Sequence, residues 1–483
     1  MEFLKGRIFR FVASVGLAAI FYFICPPCFS QTSLGCVLGL LVIIINFNTF
    51  FARFRWLTTC TRILVGGLFI FSGFIKANDP VGFSIKLEEY FEVFGQGFSC
   101  DMIQTNGDGK SEVNIPCEEE ARKNRANEVN EVKEVKVSAS IIKPMYDFLG
   151  QHSILLAIII CGLEMALGVL LLMGIKVRMT LLLLLAIILF FSFLTFYSAC
   201  CNKVTSCGCF GDAIQLTPWE SFWKDLILLI LIAIIFVGQE NIKLLFRNRI
   251  LLVGIAGLGL FASFAFPIYT YRHLPLIDFR PYAIGTNLWD ATQIKNPKKT
   301  GCVTDSVVMI FYYQHKKSKT IKPFTGDKAP TEDTLWEYYC RYDRTIRKGN
   351  CNATVLDFNL TDLESGSSLN DSLLHRKGIQ FMLIMFDIDK ADLTAMGKIN
   401  LFYDACLKNK TPFNGLSNAS NERVEKYRVE TGAKYPMLNV DGTALKTAIR
   451  SNPGLLMLKD GVVTAMWHAN DFPIYSEVIT KYK

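Results

Sequence analysis

Seven apolar runs, at 8–24, 34–51, 60–76, 153–173, 179–199, 219–237 and 250–271, crowd the first part of this 483-residue chain. Each is near the length of roughly 20 residues that crosses a hydrocarbon core. A backbone in lipid must satisfy its own hydrogen bonds, so runs of this length commit the segment to transmembrane helices. The whole chain is 51% hydrophobic yet still 19% charged, so a water-facing part must accompany the membrane part. Lys5 and Arg7 precede the first run and Arg10 lies at its start, as they would in a signal peptide. Cys25-Pro-Pro-Cys28 offers no small-residue cleavage site after it, and a retained helix is expected.

The bias of Lys and Arg between short loops sets orientation. Basic residues lie at the start of the first run, between the second and third or at the start of the third (Arg53, Arg55, Arg62), between the fourth and fifth (Lys176, Arg178) and between the sixth and seventh (Lys243, Arg247, Arg249). Residues 25–33 carry none and residues 200–218 only Lys203. A cytoplasmic N-terminus follows, with 77–152, the loop after 199 and everything past 271 outside. The net charge of +8 partly reflects this cytoplasmic bias and is no nucleic-acid footprint.

This topology sorts the 15 cysteines. Only Cys36, Cys60 and Cys161 fall inside or near the runs; the rest are expected on the outer side, where disulfides persist. The outer loop Cys200-Cys201-Asn-Lys-Val-Thr-Ser-Cys207-Gly-Cys209 concentrates four thiols within ten residues. Cys207-Gly-Cys209 can close a small strained disulfide, and strain makes such a bond exchangeable. The competing reading is structural, with these thiols paired to Cys200 and Cys201 to rivet two helix ends. Zinc would need all four thiolates, with no histidine close by, and no metal site is expected. Cys25 and Cys28 form a second candidate dithiol, with a merely local disulfide as the alternative. Cys100 with Cys117, and Cys340 with Cys351, are expected to staple one outer loop each.

Ionisable groups near the apolar runs are Lys76, Asp79, Glu88 and Glu164. A charge inside a span is a functional hypothesis by default, and a Lys76–Glu164 pair within the bundle is expected, with helix cohesion as a sufficient role and proton handling as the functional one. Pro80 and Gly82 are expected to stop the third helix. Apolar positions 87, 90, 91 and 94 then follow a helical period that suits an amphipathic segment on the outer surface.

The chain divides into two extra N-terminal spans (1–57), a membrane core (58–240) with a solvated insertion near 97–140, a final span (241–272), a linker and small β-rich segment (273–375), and an α/β domain (376–483). In the last, strands are expected at 380–386, 412–416, 435–440, 455–459 and 462–467, with helices at 391–408 and 420–432. A βαβ unit followed by a proline-preceded hairpin is the thioredoxin-like order, with Pro453 as its cis-proline.

Three motifs, Arg62-Ile-Leu-Val-Gly-Gly to Asn78-Asp-Pro-Val-Gly82, Ser206-Cys-Gly-Cys-Phe-Gly-Asp to Pro218-Trp-Glu220, and Arg272-His-Leu-Pro to Ala283-Ile-Gly285, resemble the bacterial DoxX/MauE-like family. The resemblance covers roughly 58–483 and is to long members that append a thioredoxin-like outer domain. It implies a four-helix membrane core of redox-associated type, in the cell inner membrane with the C-terminal domain periplasmic. One departure stands out: the turn that carries Cys-x-x-Cys in a working thioredoxin reads Met385-Phe-Asp-Ile-Asp-Lys-Ala-Asp392 here, without a thiol. Asp387, Asp389 and Asp392 lack oxygen-ligand spacing for calcium and read as a solvated helix start, and Cys406 reads as core.

Two functions stay open. In one, Cys207 and Cys209 exchange disulfides with an outer partner and pass electrons to a quinone or to Cys25 and Cys28. In the other, the chain is a non-enzymatic accessory subunit whose thioredoxin-like domain binds exported polypeptides, envelope proteins or a larger membrane complex.

Overall fold

The computed structural model describes residues 55–95, 139–294 without 202, 203, 205–209 and 215, and 301–482 without 304–305, 317–320, 326–328, 331–334, 348, 350 and 352. These residues fall into two compact units, one of 55–95, 139–286 and 359–482, the other of 287–358. The runs at 8–24 and 34–51 lie outside the described residues, as do Cys25, Cys28, Cys100, Cys117, Cys207, Cys209 and the insertion.

Helix α1 (Arg55–Asn78) buries Thr58, Thr61, Arg62, Val65, Phe69, Gly73 and Lys76, a stripe at spacings of three and four. Its other side exposes Trp56, Ile63, Leu64, Phe71 and Phe74, which lipid covers and water would not. Asp79 breaks the helix but does not end the helical path. Its carboxylate accepts from the Gly82 amide at 2.8 Å and Pro80 occupies the first turn, so a second helix α2 (Pro80–Gly95) starts at once. The expected stop is therefore a restart. The apolar positions of α2 do not lie free on a surface either: Leu87, Tyr90, Phe91 and Phe94 are buried against α3 (Ala139–Gln151), α4 (Ser153–Met173) and the aromatic rings of Tyr146 and Tyr197.

Helix α4 ends at Gly174, whose φ of 73° lets its amide return to the Leu170 and Leu171 carbonyls. Arg62 from α1 donates to the Leu172 carbonyl, another acceptor left free at that end. Two further helices, α5 (Val177–Cys201) and α6 (Pro218–Val237), pack against each other, and α7 (Arg249–Arg272) packs on α4. Thr217 and Glu220 close a capping box at the start of α6. Four described helices, α1, α4, α5 and α7, are long and apolar enough to cross a membrane. The expected run at 219–237, α6, has 20 residues but carries Glu220, Lys224 and Asp225 in its first turns.

Small residues set the α1–α4 crossing. A Cβ on Gly168 would stand 2.8 Å from the Gly66 carbonyl oxygen and 3.1 Å from the Ile70 nitrogen. Backbone contact of this kind is how membrane helices gain packing without a hydrophobic drive. Gly168→Ala is expected to part the helices and destabilise the chain by about 1–3 kcal/mol, the usual cost of overpacking. A thermal midpoint in detergent equal to the wild type's would show that the crossing tolerates the separation.

In the second unit a short helix α8 (Leu288–Thr292) precedes an antiparallel sheet ordered β2-β1-β3, from β1 (Ser306–His315), β2 (Ile321–Thr325) and β3 (Trp336–Arg347). Cys302 pairs with Cys351, their Cα atoms 5.2 Å apart. This corrects the expected Cys340–Cys351 staple. Cys340 sits inside β3 opposite Tyr312, and the extended strand carries it roughly 20 Å from the strand end at about 3.3 Å per residue. A disulfide cannot bridge that span. Cys340 is itself disulfide-bonded.

The C-terminal region builds a mixed sheet ordered β4-β7-β6-β5-β8-β9. Its elements are β4 (Thr361–Asp362), α9 (Asn370–Leu374), β5 (Ile379–Met385), α10 (Met396–Lys408), β6 (Phe413–Ser417), α11 (Asn421–Thr431), β7 (Met437–Asn439), α12 (Gly442–Ala448), β8 (Gly454–Lys459), β9 (Val462–His468) and α13 (Tyr475–Tyr482). Strands β5, β6 and β7 run parallel; β8 pairs antiparallel to β5, and β9 to β8. Six of the seven β5 residues are buried, as a strand covered on both faces requires. Phe381, Leu383 and Met385 meet Phe402, Tyr427 and Phe472 in the core on one side. The Asn452–Pro453 bond is cis and leads into β8.

Candidate functional site: a charged cavity between membrane helices

Lys76 lies in the last turn of α1 and Glu164 in the middle of α4. The Lys76 Nζ donates to both Glu164 oxygens, at 2.6 and 2.9 Å, and each side chain is only 2% exposed. The helices come close enough because α1 carries Gly73 here, where a Cβ would meet the Met165 side chain at 2.7 Å and the Glu164 Cβ at 3.1 Å. The ammonium also sits 4.1 Å from the centroid of the Phe191 ring, whose face attracts a desolvated cation. Removing either charge would leave the other buried and unpaired.

The pair borders a cavity of about 370 Å³ lined mostly by apolar side chains, among them Phe69, Ile188, Phe191 and Leu228. A second pair joins it. Lys224 lies 2.9 Å from Asp225, and Thr195 of α5 donates to the other Asp225 oxygen at 3.2 Å. Phe210, Ile214 and Leu216 complete the lining from the segment that follows Cys209. The cavity therefore reaches the chain segment directly continuous with the cysteine loop. Cys200 in the last turn of α5 is disulfide-bonded, and Cys201 is the last residue of that helix.

Above the helix ends, Arg450 links three segments distant in sequence. Its Nε donates to Asp79 at 2.9 and 3.1 Å, an Nη lies 3.6 Å from Asp212, and the side chain is 7% exposed. Burial pushes the Asp212 carboxyl up, with the Arg450 guanidinium opposing. Arg450 stands three residues before Pro453, so the cis-proline loop faces the α1–α2 junction and the end of the cysteine segment. Asn78 fixes the same junction by exchanging two hydrogen bonds with Ile277, at 2.7 and 3.1 Å. His273 with Asp471, at 2.7 Å, ties the end of α7 to the sheet region. Glu88 accepts from Ser153 at 2.8 Å at the start of α4, a place where negative charge is favoured.

The turn after β5 carries no thiol. Asp387 accepts from the Asp389 and Lys390 amides, Asp392 from the Thr394 amide and hydroxyl, and Asp389 pairs with Arg423 at 2.6 Å. The Thr394 hydrogen bonds hold the Asp392 carboxyl below the usual range. Asn452 donates to the Asp387 carbonyl at 2.6 Å, binding this turn to the cis-proline loop. Among the described residues no group of His, Cys, Asp and Glu is placed to hold a metal ion. Cys406 is fully buried, and burial pushes its thiol up to about 12, so it is inert core.

Lys224, Asp225, Asp212 and Arg450 escaped the sequence reading. The first two carried a legible signal, since they lie inside the apolar run 219–237 as Glu164 lies inside its own. Arg450 carried none, because its partners are remote in the chain.

Residues 140–238 match the family model of Methylamine utilisation protein MauE. The match spans α3 to α6 and so includes Glu164, Lys224, Asp225, the cysteine loop and the segment that lines the cavity. No curated protein and no solved structure matches the chain. With its apolar spans and buried intramembrane pair, this chain is thus a membrane protein carrying a MauE-family region with an added C-terminal mixed-sheet domain.

Proposed function

We propose that the chain is a cell-envelope, redox-associated membrane protein that exchanges disulfides with an outer partner at Cys207 and Cys209. The observation that carries this reading is the charged cavity that begins one residue beyond Cys209. It supplies a low-dielectric site with both donor and acceptor groups, lined in part by the segment that follows the thiol pair in the sequence. In the exchange a partner thiolate attacks one sulfur of the Cys207–Cys209 bond to give a mixed disulfide. The partner's second thiolate then resolves it, so that the partner leaves oxidised and both loop cysteines are left as thiols. The alternation of Lys and Arg supports an inner-membrane location with the cysteine loop and the C-terminal domain periplasmic.

A second reading is favoured by the thiol-free turn at 385–392. In it the chain is an accessory subunit, and the C-terminal domain binds an exported polypeptide or a membrane complex without turnover. The parallel β5-β6-β7 order, the antiparallel β8 and β9, and the cis-proline before β8 support a thioredoxin-like domain under either reading.

The test is trapping. Cys209→Ser expressed in the native envelope is expected to accumulate a mixed disulfide between Cys207 and a partner, released by reductant. The wild-type bond is expected to equilibrate with glutathione near the poise of an oxidising compartment. No trapped partner, together with a bond that stays closed in strongly reducing glutathione, would remove disulfide exchange and leave the accessory role.

A further inference from the structure

We infer that a basic groove at the far end of the C-terminal sheet is a docking site for an acidic segment of a water-soluble polypeptide. The inference deepens the accessory reading, naming the class of partner and where it sits, and rests on that reading for its purpose; the binding argument comes from the groove alone. The groove opens where β5 and β6 begin. Met385, at the other end of β5, leads into the turn that Asn452 of the cis-proline loop binds, and that loop brings Arg450 to Asp79 at the α1–α2 junction. The length of β5, Ile379–Met385, puts roughly 20 Å between the two ends at about 3.3 Å per residue. A lipid headgroup at the helix ends is thus out of reach of the groove, whereas a partner in the aqueous phase is not.

Charge selects the partner. Arg376 and Lys377 before β5, Lys410 before β6 and Lys459 at the end of β8 line the groove, and no carboxylate does. Elsewhere in the domain arginines are matched, Arg423 at 2.6 Å from Asp389 and Arg428 at 2.6 Å from Glu425. Among the described residues no carboxylate pairs with Arg376, Lys377 or Lys410. Asp460, beside Lys459 in the chain, turns its carboxylate to the Gly378 amide at 2.9 Å. Lys410 also stands against its backbone preference. The end of α10 closes with the Thr411 amide on the Cys406 carbonyl at 2.9 Å, and Lys410 takes the left-handed position, φ 57°, that glycine or asparagine fills at lower cost. The turn itself does not call for a lysine; an anion in the groove does. Three of the four cations are lysines, point charges without the planar fork that grips a single phosphate. They surround a floor of Ile379, Ile479 and the Tyr475 ring, which a 2.6 Å hydrogen bond to Thr411 fixes. Carboxylates spread along a peptide with apolar residues between them complement that arrangement, and a volume of about 510 Å³ exceeds what one small anion fills.

The experiment uses the full chain in phosphatidylcholine nanodiscs and, as probe, a fluorescein-labelled peptide alternating glutamate with leucine, followed by anisotropy. Saturable binding is expected, weakened about tenfold when the ionic strength rises from ~0.02 to ~0.2 M and not displaced by inorganic phosphate at matched ionic strength. Lys377→Glu/Lys410→Glu is expected to lose about nine-tenths of the affinity, whereas Lys426→Glu, exposed on α11 outside the groove, is expected to bind as the wild type does. Lys410→Asn, which suits the left-handed turn, is expected to melt at or above the wild-type temperature and yet bind about threefold more weakly, the size of one exposed charge contact. No saturable binding, binding that survives the charge reversal or falls equally in Lys426→Glu, displacement by phosphate, or a Lys410→Asn protein that is folded and binds undiminished overturns the groove as a peptide site. If the peptide fails to bind and Cys209→Ser traps no partner, the groove falls and the accessory reading stands. Groove-dependent binding in a protein whose Cys209→Ser form does trap a partner upholds the groove and removes the accessory reading instead.

Discussion

Lys76→Met is expected to destabilise the chain by about 3–5 kcal/mol, the usual cost of stranding one member of a buried ion pair. Lys76→Met combined with Glu164→Leu should recover most of that loss. The single substitution leaves the Glu164 carboxylate in mid-helix, 2% exposed and without its ammonium partner. Lipid cannot solvate it, so it must either take up a proton or disrupt the bundle. The double substitution removes both desolvation costs and leaves two apolar side chains of fitting size. Unfolding in mixed detergent micelles, run as a double-mutant cycle, measures the coupling. Singles and double within about 0.5 kcal/mol of wild type, the scatter expected of independent sites, would mean that the cavity admits enough water to solvate either charge alone.

Arg450→Ala is expected to carry the next largest effect, about 3 kcal/mol, because a buried guanidinium bonded to a carboxylate is lost. The loss should be local. Hydrogen exchange should speed at least tenfold across 385–392 and 446–453, while β5 and the middle of α4 keep their protection. Arg450→Lys should rescue little, since a single ammonium cannot contact both Asp79 oxygens and approach Asp212 with the same planar geometry. Loss of the guanidinium also removes the group that opposes burial at Asp212, so that carboxyl should titrate higher in the variant than in the wild type. Unchanged exchange in both segments would show that the Asn78–Ile277 and His273–Asp471 ties suffice without Arg450.

Much of this was legible in the sequence because the governing physics is local. The β5 and β6 strands start within one residue of the positions that hydrophobic runs and turn residues marked, and the 250–271 run became α7 almost to the residue. Lys76 and Glu164 were singled out by the cost of charge in an apolar run, and they meet in the bundle. Lys224 and Asp225 obey the same rule and were passed over, an error of application. The Cys302–Cys351 bond and the reach of Arg450 depend on how distant segments fold back. Spacing along the chain holds no record of that. The cavity is of the same kind, a shape made by four helices that no single run contains.

Asp79 and Asp212 share one guanidinium, and that guanidinium belongs to the C-terminal sheet region. The membrane half is therefore not a self-sufficient module. A chain cut before the sheet would keep two carboxylates facing a vacant position, one of them three residues beyond Lys76, just past the end of α1. Their mutual repulsion would act on the very end of α1 that aims the ammonium at Glu164. Transplanting the sheet region onto another membrane core would succeed only where an acidic pair awaits the arginine, which makes this small polar contact a compatibility code between the two halves.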